Sequence, residues 1–462
     1  MSGRPDAAQR KAEHKLQTRK RMREIEQSIL SRAPEHDLEP SLDRIAAVME
    51  LLGDPQHAFP VIHVTGTNGK TSTTRMIERM LREMGLSTGR FTSPHLHNIR
   101  ERIALNGSPI DIEKFIASYE DVLPFIEMAD ARSAAEAGPR MTYFEVLVAV
   151  AYAAFADAPV DVAVVEVGMG GSWDATNVVN AQVAVVTPIS LDHEHFLGSS
   201  LEGIAIEKAG IFKAGCLVVS AVQEPEVAEI LVRLAQEVGT TPAFEGNEFG
   251  ILHREVAVGG QQLAIRGLGG DYDELFLPLH GPHQGRNAAL ALAAVEAFVG
   301  GGEHRLDIDL IRAGLAGATS PGRLEVVRRS PTVLVDGAHN PAGALALRAA
   351  MEDSFNFAKI VGVIAILDDK NASLMLEILE PVLNEVIVSR TTSPRAINPD
   401  RLGELAVEIY GEGRVTVVDN LPDALDQAAE KADEGGFGGG VLATGSITTA
   451  AEIRMLLGAT DG

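Results

Sequence analysis

Val61-Ile62-His63-Val64 runs directly into Thr65-Gly66-Thr67-Asn68-Gly69-Lys70-Thr71-Ser72. The first four residues read as a short buried strand and those after Lys70 take up helical period, so the turn joins a strand to a helix. That is the setting of a phosphate cradle. Glycines let backbone amides turn inward, a helix start offers unpaired N–H groups and a positive dipole end, and Lys70 adds a point charge. A strict Walker A motif would carry glycine at position 64, where this chain has Val64; glycine at Gly66 instead gives the shorter G-x-x-G-K-T. A plain glycine-rich turn gives no reason for Lys and Thr directly after Gly, so a nucleotide is expected at Gly66, Thr67, Asn68, Gly69, Lys70, Thr71 and Ser72. Guanine reading would need Asn-Lys or Thr-Lys before x-Asp, and neither dipeptide occurs.

Outward from this turn, short β-branched runs alternate with helical stretches, the pattern of an α/β protein with a mainly parallel sheet. Strands are expected at Val61–Val64, Val162–Val167, Val183–Val186 and Leu217–Val219. Small and turn-forming residues cluster at Ala318-Thr319-Ser320-Pro321-Gly322, and a fresh alternation follows at Val333–Val335, Ile360–Ile366, Glu385–Val388, Val415–Val417 and Val441–Ala443. The expected organisation is a basic helical extension (1–40), an ATP-binding domain (41–319) and a smaller Rossmann-like α/β domain (320–462). The Gly435–Gly440 tract reads as a loop before the last strand.

A chain of 462 residues exceeds one ordinary core, in keeping with two domains. Its formal charge of −24 argues against a nucleic-acid partner, which needs a basic surface, and calls for a locally basic pocket for anionic substrates. The single cysteine, Cys216, fits a reducing compartment, so cytoplasm is expected. The apolar run Val146–Ala156 is too short for a membrane span. The basic run Arg4, Arg10, Lys11, Lys15, Arg19, Lys20, Arg21 and Arg23 lacks the apolar core of a secretion signal and reads as a solvated helix or frayed tail.

Gly66-Thr67-Asn68-Gly69-Lys70-Thr71-Ser72 resembles the ATP loop of the Mur ligase superfamily. Further segments resemble its folylpolyglutamate synthase and dihydrofolate synthase branch: Thr92-Ser93-Pro94-His95-Leu96 with Glu101-Arg102-Ile103, Glu166-Val167-Gly168-Met169-Gly170-Gly171 with Asp174-Ala175-Thr176-Asn177, Leu191-Asp192-His193 and Glu207-Lys208-Ala209-Gly210. Pro321-Gly322-Arg323-Leu324-Glu325 and Asp336-Gly337-Ala338-His339-Asn340-Pro341 complete the set. Relatives that bind UDP-sugars place a whole domain before the loop, and only 65 residues precede Gly66 here. Ser172-Trp173 departs from the Arg-Leu usual in the family.

The resemblance implies an ATP-dependent ligase that adds L-glutamate to folates and also to dihydropteroate; the alternative is another amino-acid ligase of the superfamily. It implies two Mg²⁺ ions, one held by Ser93 and Glu166, the other by Glu166 and His193 with a carbamylated Lys208. Glu166 also stands out by itself, as a carboxylate after four buried residues at the carboxyl edge of a parallel strand. Lys208, without the resemblance, reads as an ordinary solvated lysine. Asn287, within His283-Gln284-Gly285-Arg286-Asn287, would contact the nucleotide or serve as a helix cap. Arg323 would reach the phosphates and Asp336 the nucleotide, while His339 and Ser446 would orient the incoming amino acid; ordinary loop roles stay open for the last two. Lys70, Lys208 and His339 make up the expected catalytic set. Glu145 is left out of it, because Thr142-Tyr143-Phe144-Glu145 reads as a capping box. Relatives suggest a monomer.

Overall fold

Valine-rich runs too short for helices form the middle of the first sheet, where both faces are buried and alternation is not required. The computed structural model describes residues 7–33, 41–192, 196, 198, 200–434 and 438–459. The strands of the first sheet are β1 (Val61–Thr65), β2 (Thr88–Phe91), β3 (Ile103–Leu105), β4 (Ser108–Pro109), β5 (Val162–Glu166), β6 (Val183–Val186), β7 (Leu217–Ser220) and β8 (Ala243–Phe244). Among the described residues their order is β4-β3-β2-β5-β1-β6-β7-β8. From β2 to β8 all neighbours are parallel, and β3 and β4 extend the sheet antiparallel. Val64 lies beside Glu166 and Thr65 beside Val186, so the carboxyl ends of β1, β5 and β6 open on one edge.

Helices cover both faces. Lys70–Glu83, Pro282–Gly300 and Ile308–Ala316 pack on one, burying Met76, Met80, Leu290 and Ile311 against Ile62 and Val164. On the other, Tyr143–Asp157 is apolar all round because it is a middle layer, packed on the sheet and on the helices Asp43–Leu51 and Ile112–Ala135. Its start is the expected capping box: Thr142 Oγ1 accepts from Glu145 N at 3.2 Å, and Glu145 Oε2 accepts from Thr142 N at 2.6 Å. Arg44 also donates to Glu145, at 3.1 Å. The helix Ala7–Leu30 is more than a solvated arm, since Met22, Ile25 and Ile29 are buried in this same core.

An antiparallel sheet of β9 (Gly250–Ala257), β10 (Gly260–Arg266) and β11 (Asp271–Leu277) was not anticipated. Its signal is Val258-Gly259-Gly260 between two alternating runs, Gly259 taking φ +77° at the turn. The last sheet contains β12 (Glu325–Arg329), β13 (Thr332–Val335), β14 (Lys359–Ile364), β15 (Glu385–Val388), β16 (Val415–Val417) and β17 (Gly439–Thr444). Its order is β12-β13-β17-β14-β15-β16, parallel except for β12. Part of the glycine-rich tract, residues 435–437, lies outside the described residues; Gly439 and Gly440 begin β17, a central strand. Residues 318–322 link the helix Ile308–Ala316 to β12. Among the described residues no helix is long and apolar enough to cross a membrane.

Replacing Thr142 by Ala leaves the buried Glu145 amide without its acceptor. The expected cost is about 1 kcal/mol, read as a lower urea midpoint by far-ultraviolet circular dichroism.

Candidate active site

The chain leaves β1 at the middle of the sheet and must turn sharply to start the helix at Lys70. Gly66 makes the turn with φ +136°, where a Cβ would run into Thr187. At Gly69, φ is +89° and a Cβ would stand 2.7 Å from Asn287 Oδ1. Both positions therefore require glycine. The loop is pinned from the side: Thr67 N donates to Pro188 O at 2.9 Å, and Thr67 Oγ1 donates to Ser190 O at 3.0 Å. Lys70 Nζ folds back onto the carbonyls of Gly66 and Thr67, each at 3.1 Å.

Glu166, 1% exposed at the end of β5, accepts from Thr71 Oγ1 at 2.8 Å and from Ser93 N at 3.2 Å. Burial pushes its carboxyl up and pushes the Lys70 amine down, and each group's charge holds the other back. The hydroxyls of Thr71 and Ser93 with this carboxylate form a hard-oxygen set that suits Mg²⁺, an ion that keeps several waters. Among the described residues no three His, Cys, Asp or Glu side chains cluster as they would around a metal held mainly by protein. His193, expected at a second ion, lies outside the described residues.

Lys208 is not the solvated lysine its helical position alone suggested. It lies in the last turn of the helix Leu201–Ala209, 4% exposed, with Nζ donating to Gly66 O at 2.8 Å. Burial, with Lys70 nearby, brings its ammonium down to about 7. Gly171 explains the close approach: a Cβ there would meet the backbone of Lys208 at 2.8–2.9 Å. Glu207 fastens the same loop, accepting from Gly171 N at 3.2 Å and from the Ser172 hydroxyl.

The second sheet supplies the opposite wall. Arg323 and Asp336 flank its first strand pair, with Asp336 accepting from Leu324 N and Ala338 N, both at 2.8 Å. Burial raises the Asp336 carboxyl, and Arg323 opposes that rise. Each carboxylate oxygen thus holds a loop in place. His339 Nδ1 donates to Gly337 O at 2.9 Å, turning Nε2 toward Asp192 Oδ2 at 3.4 Å. Ser446 is a helix cap: its Oγ accepts from Thr449 N at 3.0 Å and, since Thr449 Oγ1 donates to Ala365 O, gives its own proton to Thr449 Oγ1 at 2.7 Å. Asn287 is not a cap, because the helix starts at Pro282 after Gly281. It donates to Gln284, which donates to Ser72, which in turn shares a hydrogen bond with Ser320 at 2.8 Å.

All the described candidates line one cleft of about 1730 Å³ between the two sheets. That is ample for more than one small ligand. Three residues without an assigned role close it. Asp192, 8% exposed, pairs with Lys370 Nζ at 2.7 Å and accepts from Asn340 Nδ2 at 2.8 Å. The amides of Asn340 and Asn68 exchange hydrogen bonds at 3.2 Å. Asn340 sits within a recognised motif, while Lys370, beside two aspartates in a loop, carried no pattern to find it by.

Two outcomes follow from these burials. Between pH about 7 and the ordinary lysine value of 10.5 the unfolded chain binds a proton at residue 208 that the folded chain does not. Stability therefore gains a positive slope over that window as pH rises, and comparing urea midpoints should find the slope reduced in Lys208→Met, with Lys70 and Lys213, which burial also lowers, keeping the rest. Asp192→Ala removes the 2.7 Å partner of the buried Lys370 ammonium and leaves it Asp369 Oδ2 at 3.8 Å, for which about 1–3 kcal/mol is expected; faster proteolysis between the domains would register it, and an unchanged cleavage rate would contradict it.

The chain matches the Mur ligase middle domain over residues 64–295 and the Mur ligase glutamate ligase domain over residues 322–447. It is 48% identical over 455 residues to the dihydrofolate synthase/folylpolyglutamate synthase of Mycobacterium tuberculosis, covering 94% of this chain and 93% of that protein. Identity to the Escherichia coli dihydrofolate synthase/folylpolyglutamate synthase is 34% over 418 residues, covering 90% and 91%. The Mycobacterium tuberculosis folylpolyglutamate synthase structure complexed with ADP superposes with a TM-score of 0.92 at 46% identity, over 96% of this chain and 100% of that one. Escherichia coli FolC in complex with DHPP and ADP superposes with a TM-score of 0.79 at 32% identity, over 91% and 94%. The chain therefore belongs to the dihydrofolate synthase/folylpolyglutamate synthase family of the Mur ligase superfamily.

Proposed function

We propose that this chain is an ATP-dependent carboxylate–amine ligase that adds L-glutamate to folates, and to dihydropteroate as well. The observation that carries the reading is the single cleft in which Lys70, Glu166 and Lys208 of the first sheet face Arg323, Asp336 and His339 of the second. The phosphate loop binds the ATP triphosphate, Asn287 lies beside Gly69 where the nucleotide enters, and Arg323 meets the phosphates from across the cleft. Mg²⁺ bound at Thr71, Ser93 and Glu166 would supply positive charge next to the phosphates.

The acceptor carboxylate attacks the γ-phosphate in line, the bond to the β-phosphate oxygen breaks and ADP leaves, and Lys70 and Arg323 spread the charge that accumulates on the transferring group. The resulting acyl phosphate is attacked by the amine of glutamate, which His339 orients, and inorganic phosphate leaves. Ser446 acts through the helix it caps. Contacts between the domains at Asp192, Asn340 and Lys370 keep water from the acyl phosphate. Lys208, at about 7, has an amine neutral enough at mildly alkaline pH to combine with CO₂. The carbamate would place an anion where a second metal ion binds, with His193 as a further ligand.

Phosphate release from ATP, Mg²⁺ and L-glutamate should depend on an added acceptor. Tetrahydrofolate and dihydropteroate should each gain one glutamyl unit by mass. Release with neither would overturn the ligase reading, and release with tetrahydrofolate alone would remove the dihydropteroate activity. Mass spectrometry under bicarbonate should find one CO₂ added at Lys208; an unmodified lysine there would remove the carbamate.

A further inference from the structure

The segment Thr92–Arg102 leaves β2 and borders the cleft, giving it Ser93, Pro94 and Arg102. At its base Thr92 N donates to Arg102 O at 3.0 Å. Glu101 gathers its tip, accepting from Leu96 N at 2.8 Å, His97 N at 3.1 Å and Asn98 N at 2.7 Å. Arg102, 4% exposed, donates to His95 Nδ1 at 2.9 Å and lies over the Tyr143 ring at 5.5 Å. The cleft side of this loop is thereby rigid within the first domain.

The outer side is held by the other domain. Arg454, 2% exposed in the last helix, Ile447–Leu456, donates from Nε to His97 Nε2 at 3.4 Å and from Nη1 to Glu325 Oε2. Because Nε2 accepts, the ring proton of His97 is on Nδ1, a buried atom with no partner among the described residues. Leu96 adds apolar contact, its methyl groups lying 3.3 and 3.7 Å from where a Cβ on Gly322 would stand. Glu325 Oε2 accepts from Gly322 N at 2.7 Å as well, and Gly322 O accepts from Gly337 N at 2.9 Å. Gly322 immediately precedes Arg323, and the absence of a side chain at Gly337 leaves room for the Arg323 guanidinium.

We propose that Arg454 and Glu325 are positioning residues that tie the acceptor-facing loop Thr92–Arg102 to the Arg323 segment, so that nucleotide on the phosphate loop, met by Arg323 from the second domain, orders the acceptor side of the cleft. No group in the relay touches the reacting atoms. Its physical basis is that one half-buried carboxylate, Glu325, fixes both the backbone next to Arg323 and the buried guanidinium that reaches His97. A charge-assisted contact with its guanidinium end buried is stronger and more directional than an exposed pair. The acceptor half of the proposal rests on the ligase reading above; the structural coupling does not.

The test uses the full chain with Arg454→Met, and with His97→Phe, which leaves the Arg454–Glu325 pair intact should the first variant fold poorly. Hydrogen exchange, with and without ADP and Mg²⁺, reads the coupling without any acceptor. ADP should slow exchange at Leu96, His97 and Asn98 in the parent chain and should fail to do so in either variant. Equal protection in variant and parent overturns the relay whatever the substrate. Steady-state kinetics with tetrahydrofolate then reads the consequence: acceptor KM should rise about fivefold in each variant and no further in the double variant, as coupled residues behave, with KM for ATP little changed. Multiplying effects, or a loss confined to kcat with acceptor KM unchanged, would reduce both residues to general support of the fold.

Discussion

One carbonyl oxygen, that of Gly66, accepts hydrogen bonds from two lysines, the half-buried Lys70 at 3.1 Å and the buried Lys208 at 2.8 Å. Two amines converge on a single acceptor because their low-dielectric surroundings lower both from the ordinary lysine value. The arrangement also requires a residue without a side chain at 66, because Thr187 occupies the space a Cβ would take. The site is therefore a cradle held in reserve: an incoming polyanion favours the charged form of both lysines and gives each a better partner than a backbone carbonyl. That answers the problem set by a chain of net charge −24 that handles anionic substrates. Lys70 and Lys208 stand at the phosphate loop and Arg323 across from it, within a cleft whose walls also carry Glu166, Asp192 and Asp336.

Closure between the two sheets depends on a second constraint of the same kind. Asp192 is nearly buried and meets Lys370, Asn340 and His339, all from the second domain, while Asn68 of the phosphate loop pairs with Asn340. These contacts form only when the domains meet, although within the second domain Lys370 also has Asp369 at 3.8 Å and Asn340 Oδ1 also accepts from Gly343 N at 2.7 Å. The domains are thus joined through the same loops that line the cleft, and opening them exposes the reaction to water while unmaking the site. At the outer edge of the cleft the contact across the domains is that of Arg454 with His97.

Capping and positioning account for several residues that pattern alone would assign to chemistry. Glu145 is spent on a helix start and on Arg44, and Ser446 on a helix start and Thr449. Asp336 gives both oxygens to backbone amides that place Arg323 and His339. Ser446 and Asp336 line the cleft, yet their hydrogen-bonding capacity, like that of Glu145, is directed into the protein.

The sequence by itself determined the parallel order of the fold and the place of the phosphate loop, because both are written in local terms: β-branched runs bury on both faces, and a glycine turn between strand and helix has few uses. The family motifs likewise located Glu166, Lys208, Arg323, Asp336 and His339 on the chain. Only the tertiary structure decided how each is used. Lys208 became a buried near-neutral amine through the approach of Gly171, Asn287 a helix-body residue against Gly69, and Asp192, Asn340 and Lys370 a closure across domains. The antiparallel sheet Gly250–Leu277 stayed hidden for a related reason, its strands being half exposed and weakly patterned. Burial, pairing and charge state are set by residues distant in the chain, such as Gly171 with Lys208 and Gly69 with Asn287, and no local pattern carries that information.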